Sequence, residues 1–345
     1  MRKNTLTLAG ILTAATLAAG PAIAKDFYEG KRIRIVIGFG AGGNYDIYGR
    51  LVAQFLGDHI PGKPSIIVQN MPGAGATVAA NYLYNKAERD GTVLGEINQN
   101  AHLGQLFKQK GVKYDERKFT WIGRMVTNTS VWSAWHTSKI KTADDLFKHE
   151  AVAGAGGPTS NSQIIPSMLN QFVGTRFKIV PGYKNSGALD LAMQRGEIDG
   201  RSIPLGIYLK DQNVAKGNIN PIVQFASERA ASLPKVPTAA ELVKNKAQSQ
   251  MVKLVLSGGV MGRSLMGPPE IPADRVKILR TAFDAAMKDP KLIALAKKTQ
   301  NDLEPLSGAA VTKIVMGLFD VPAEVAKKTA DVINAAKKKR KKKKK

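Results

Sequence analysis

Twice along this 345-residue chain a short apolar run of strand character breaks into a glycine-rich turn and then into a helical repeat. Residues 32–38 (RIRIVIG) give way to Phe39, Gly40, Ala41, Gly42, Gly43 and Asn44, followed by helical spacing over residues 46–56. Residues 151–155 (AVAGA) run into Gly156, Gly157, Pro158, Thr159, Ser160, Asn161 and Ser162, ahead of a helical pattern over 163–172. Short β-branched or small-residue runs bounded by glycine predict buried parallel strands. Their alternation with helices predicts α/β units with mostly parallel sheets. Residues 65–69, 92–97 and 177–180 add strands, residues 197–200 a strand edge or turn, and residues 188–195 a helix. The length allows two such domains, each with its own core. In the final third, Pro272, Ala273 and Asp274 open an amphipathic helix with Val276, Leu279, Phe283 and Met287 on one face, and Asp289-Pro290 opens another. These helices are expected to pack on an existing sheet, so the chain crosses from the first domain to the second and returns.

The two glycine turns are where chemistry is expected. The first turn of a helix leaves N–H groups without intrahelical partners and carries partial positive charge, so it can hold a carboxylate without a basic side chain. Glycine lets a ligand approach the main chain, and Asn44, Thr159, Ser160, Asn161 and Ser162 can add side-chain hydrogen bonds. Two such ends across a cleft would grip one small anion. Glycine-rich turns also serve merely as connections in α/β proteins, and Asp46 is expected chiefly to cap its helix. Arg201 is a candidate charge partner from the second domain.

The run at residues 38–43 (GFGAGG) formally matches the dinucleotide fingerprint G-x-G-x-x-G. That fingerprint needs an acid at the end of the second strand to hold a ribose hydroxyl. Here the strand ends at Gln69, Asn70 and Met71, which argues against a nucleotide-dependent enzyme. His59, His102, His136 and His149 show no close metal-ligand spacing and sit in no nucleophile motif. Glu197 and Asp199 fall on opposite faces of a regular strand and make a poor acid/base pair. Trp121, Trp132 and Trp135 are expected in the core or at the crossing between domains.

The start of the chain reads as an address. Arg2 and Lys3 precede an apolar stretch over residues 6–19 that is broken by threonines and stopped by Gly20-Pro21, and Ala22, Ile23 and Ala24 suit a signal peptidase. Residues 1–24 are therefore expected to be removed on export, and nothing after residue 25 is apolar and long enough to cross a bilayer. The absence of cysteine excludes a lipoprotein anchor, a disulfide framework and a thiolate metal cluster. Of the net charge of +24, nine positive charges lie in residues 337–345 (KKKRKKKKK) and two in the leader, which leaves +13 on the body. The terminal run is expected to be a disordered, solvated tail rather than a nucleic-acid or membrane anchor. The body's excess favours anionic ligands.

At these same residues the chain resembles the substrate-binding proteins of tripartite tricarboxylate transporters, the Bug family. Residues 34–37 (RIVI), Phe39 to Gly43 (FGAGG), Asp46 and Arg50-Leu51 are similar to its first ligand loop, and residues 70–75 (NMPGAG) to its N-x-P-G-A-G turn. Asp90-Gly91, residues 180–184 (VPGYK), 196–199 (GEID), 233–238 (LPKVPT), Pro268-Pro269 and Pro272 to Asp274 follow in the family's order, covering residues 27 to about 320. The resemblance implies a type II periplasmic-binding-protein fold, two α/β lobes joined by a two-segment hinge with the ligand cleft between them. It places lobe 1 at residues 25–124 and 228–336, and lobe 2 at 125–227. It implies a monomeric periplasmic protein, without cofactor, metal or nucleic-acid partner, that captures a dicarboxylate, tricarboxylate or aromatic acid for integral membrane transporter subunits. A ligand sensor feeding a signalling partner is the alternative. The implied ligand residues are Gly40, Ala41, Gly42, Gly43, Asn44, Tyr45 and Asp46 from one loop, and Thr159, Ser160, Asn161 and Ser162 from the other, with Arg201 beside them. Gln163 stands where the family usually has histidine, Tyr45 and Tyr48 are bulky additions, and residues 261–264 (MGRS) depart from the commoner pattern.

Overall fold

The apolar runs become strands, and the strands sort into two sheets. The computed structural model describes residues 26–156, 161–183, 186–226 and 228–342. The strands, in chain order, are β1 Arg32–Ile37, β2 Ser65–Asn70, β3 Val93–Glu96, β4 Thr120–Val126, β5 Ser130–Trp135, β6 Ala151–Ala155, β7 Phe177–Pro181, β8 Gly200–Pro204, β9 Ile219–Phe225, β10 Arg263–Gly267 and β11 Leu306–Ser307. One sheet has the order β11-β4-β10-β3-β1-β2 and the other β7-β6-β8-β5-β9. β1 runs parallel to β2 and β3, and β6 parallel to β7 and β8. These are the strand–turn–helix units of the sequence. β10 lies antiparallel to β3 and β4, β11 to β4, and β5 to β8 and β9. The sheets are therefore mixed rather than mostly parallel, because the crossing strands enter each sheet from the opposite direction.

Helices cover both faces of the first sheet, as a sheet with buried parallel strands requires. On one face, helix α1 (Asn44–Leu56) packs Leu51, Val52 and Leu56 against Leu279 and Phe283 of the helix Ala273–Ala286 and Leu292 of the helix Pro290–Lys298. The late helices thus join the first core rather than found a third. On the other face, helix α2 (Thr77–Asn85) buries Ala79, Ala80 and Leu83.

The second sheet builds its core from Trp132, Phe177, Ile222 and Val223. Trp132 meets Phe177 edge to face at 5.1 Å, and Trp121 is likewise buried, in the core of the first sheet. The helix Lys246–Leu256 joins the second core through Met251, Val252 and Val255, and Ile333 of the helix Ala323–Lys342 joins it too. By sequence order both helices were expected with the first lobe. Between them, β10 and the helix Gly308–Leu318 pack in the first lobe, so the chain passes between the sheets three times. The backbone of the last helix runs on to Lys342, into the stretch expected to be disordered. Alanine, lysine and arginine are good helix formers, and they extend a helix whose first half is already packed. Residues 1–24, Thr159 and Ser160 lie outside the described residues.

His102 sits where the first lobe meets the second crossing, fully buried, with Nε2 at 3.0 Å from Ser257 Oγ. Burial lowers its pKa to about 4 from an ordinary 6.5. The unfolded chain therefore binds the proton first, and stability is lost as pH falls from 6.5 towards 4. His102→Gln should show a shallower loss over that window than the wild type in denaturant titrations from pH 7 to 4. Parallel curves would contradict a buried neutral imidazole.

Candidate ligand-binding site

β1 delivers the chain to the first glycine turn through Gly38, which is buried against the N-x-P-G-A-G turn. A Cβ at Gly38 would stand 2.4 Å from the Cβ of Ala76, so only glycine fits. Gly42 has φ +77, the left-handed region that glycine tolerates. Gly43 then caps α1 in an extended conformation, with no side chain bonded to the opening turn.

The turn is pinned from behind by one carboxylate. Asp46 is buried and accepts hydrogen bonds from Gly42 N at 2.9 Å, Arg50 Nε at 2.9 Å and Asn70 Nδ2 at 2.8 Å. Asn70 also donates to the Phe39 carbonyl at 2.9 Å and accepts from Arg50 Nη2 at 3.1 Å. Burial alone would raise the Asp46 carboxyl, but the bonds from Arg50, Gly42 and Asn70 outweigh it and hold the pKa at about 2. Asp46 thus braces the loop, and the Gly42 N–H is committed to it. The following N–H groups, at the start of α1, have no intrahelical carbonyl to meet. At the end of the second strand, where a dinucleotide site needs an acid, Asn70 holds the loop instead.

This end of α1 opens onto a cavity of about 270 Å³ between the sheets, lined among others by Asn44, Tyr48, Asn128, Thr129, Arg263 and Glu304. Asn44 Oδ1 is buried there with no hydrogen-bond partner. The Tyr48 hydroxyl donates to the Asp302 carbonyl at 2.8 Å, which turns that ring into the wall. Tyr45 stacks on Phe39, ring centres 4.1 Å apart, and its hydroxyl accepts from Gln99 N at 3.0 Å. An ion pair between Lys210 and Asp302 spans the lobes beside the cavity.

Of the residues expected to bind, Asn44 lines this cavity, Gly40, Ala41 and Gly43 are exposed, and Asn44 and Tyr45 are half-buried. In the second lobe, the helix Asn161–Phe172 starts two residues before the expected residue 163, which brings Asn161 and Ser162 into its first turn. Thr159 and Ser160 fall outside the described residues, while Ser162 is half-buried. Next to Ser162, Gln163 is buried with Oε1 unpartnered. Arg201 does not reach the cavity lining. It is 3% exposed, bonded through Nε to Asp190 Oδ1 at 2.6 Å and through Nη1 to the Ser202 carbonyl at 3.1 Å. Asp199 accepts from Val152 N at 2.7 Å and ties strands together. Asn128 and Arg263 line the cavity and Gln99 bonds to both, and sequence reasoning assigned no role to any of the three. The departure of residues 261–264 from the family pattern was the one signal pointing at Arg263.

Among the described residues no group of three His, Cys, Asp or Glu is arranged to hold a metal, and no helix is long and apolar enough to cross a membrane. Two α/β lobes around a cleft, with a helix opening onto it, define a type II periplasmic-binding-protein fold. The fold recurs in a TctC solute-binding protein from Polaromonas (TM-score 0.64, 18% identity, 89% of this chain and 99% of that one). It recurs in MatC of Rhodopseudomonas palustris, solved with bound malate (TM-score 0.61, 22% identity, 88% and 99% covered). An R. palustris protein solved with adipate is also similar (TM-score 0.62, 19% identity, 87% and 97% covered). Among sequences, a UPF0065 protein of Bordetella bronchiseptica is 25% identical over 297 residues, 84% of this chain and 82% of the relative. BugT of Bordetella pertussis is 25% identical over 254 residues, 69% and 73% of the two chains. The model of the tripartite tricarboxylate transporter family receptor, TctC, matches residues 50–315. The chain therefore belongs to the tripartite tricarboxylate transporter receptor family, and it is a solute-binding protein rather than an enzyme.

The brace makes an unequal prediction for its two charged members. Asp46→Ala should lower the unfolding free energy by about 2 kcal/mol, because it removes the one buried carboxylate to which Gly42, Arg50 and the half-buried Asn70 all donate. Arg50→Ala, at the exposed end of the same pair, should cost under about 1 kcal/mol. Urea titration of both variants checks the contrast, and equal losses would contradict it.

Proposed function

We propose that the protein is a periplasmic receptor for a small organic carboxylate, exported by residues 1–24, acting as a monomer without a cofactor and handing its ligand to membrane transporter subunits. The observation that carries this reading is the uncapped start of α1, braced by Asp46 and opening onto the interlobe cavity. A carboxylate seated there meets main-chain N–H groups and the positive end of the helix dipole. Asn44, with a buried oxygen lacking a partner, lies beside that seat. In the other lobe, Thr159, Ser160, Asn161 and Ser162 are proposed to complete the grip. Related structures solved with malate and with adipate support small acids as the ligand class.

Capture is a shift of population: an acid that bridges both lobes binds the closed shape better than the open one, and the closed shape is what the membrane subunits read. The test is a thermal-shift screen of the mature protein against mono-, di- and tricarboxylates, followed by calorimetry of the hits. An acid at 100 times its Kd should add about 2.7 kcal/mol of stability. No shift and no heat from any acid would remove the proposal.

A further inference from the structure

Arg263 is a buried cation whose hydrogen bonds, among the described residues, go only to neutral groups. It opens β10 and is 5% exposed. Its guanidinium lies 3.8 Å over the Tyr45 ring, on a residue of the first ligand loop. Nη1 donates to Gln99 Oε1 at 2.9 Å, and that same oxygen accepts from Asn128 Nδ2 at 2.6 Å, so the head is held in place by neutral groups. Its Nε–H is buried with no acceptor.

The nearby carboxylates do not serve it. Asp46 is bonded to Arg50, Asp302 to Lys210, and Glu304 to the Thr127 hydroxyl. Glu96 is fully buried with both oxygens unpartnered, and burial raises its pKa well above the ordinary carboxylate range, against the lowering effect of Arg263. No hydrogen bond joins either of its oxygens to the Arg263 guanidinium. A buried charge without a counter-ion is costly, and a cation on the wall of a cavity finds one in a bound anion.

We propose that Arg263 recognises a second anionic group of the ligand, so that the receptor selects diacids over monoacids. The inference rests on the carboxylate reading above: the first carboxylate takes the start of α1, and Arg263 meets the second from the same lobe. Gln99 acts as a positioning residue, and Tyr45 couples the guanidinium to the ligand loop.

The test compares matched acids by calorimetry on the mature protein: succinate with butyrate, adipate with hexanoate, and terephthalate with benzoate. Wild type should bind at least one diacid about thirtyfold more tightly than its monoacid, or better. Arg263→Met, which keeps the stack on Tyr45, should bring that ratio close to one while leaving monoacid binding in place. Arg263→Lys should keep a preference of intermediate size. If Arg263→Met binds neither acid, the ratio is read from Arg263→Gln. A ratio near one in the wild type, or an unchanged ratio in the neutral variant, overturns the role of Arg263 and leaves the carboxylate reading standing. Binding of no acid at all overturns both.

Discussion

The glycine turn of the first lobe depends on one buried carboxylate. Asp46 draws Gly42, Arg50 and Asn70 onto itself, and Asn70 in turn holds the Phe39 carbonyl. A glycine turn is conformationally free in the unfolded chain, so something must fix it before it can present N–H groups to a ligand. Here the fixing comes from the second strand and from one helical turn further on, both rigid elements. The loop is thereby preorganised without any side chain occupying the helix start itself.

That division of labour explains which parts of the molecule could be read in advance. β1, β2, β3, β6 and β7 and the helices that follow them carry strong local signals: β-branched runs, glycine boundaries and helical spacing. The crossing strands do not. β4 (TWIGRMV) and β10 (RSLMG) contain arginine and glycine amid apolar residues, and only their partners across the sheet, tens of residues away, make them strands. The same holds for the second core, which recruits residues 246–256 and 323–342 by packing that no local pattern announces. At the site, the first loop and its asparagine were legible because glycine and proline mark turns. Arg201 carries a partner the sequence does not announce: a charged residue beside a presumed cleft looks available until Asp190 is seen bonded to it. Gln99 and Asn128 carry no signal of their own, since their role is to meet a guanidinium supplied by a distant strand.

The electrostatics of the first lobe follow from burial more than from count. Although the body of the chain carries a large positive excess, much of it is solvated and contributes steering over a distance. The charges that shape the cleft are few and dry. Three donors converge on Asp46 and hold its carboxyl low, whereas burial pushes Glu96, enclosed without donors, well above the ordinary carboxylate range. Two carboxyl groups of one lobe are thus shifted in opposite directions by their immediate surroundings.

The triple passage of the chain between the lobes bears on how the molecule moves. A joint made of two adjacent connections permits both folding and torsion. The third, through the terminal helix seated on the far core, ties the end of the chain to the lobe opposite the one that holds its start.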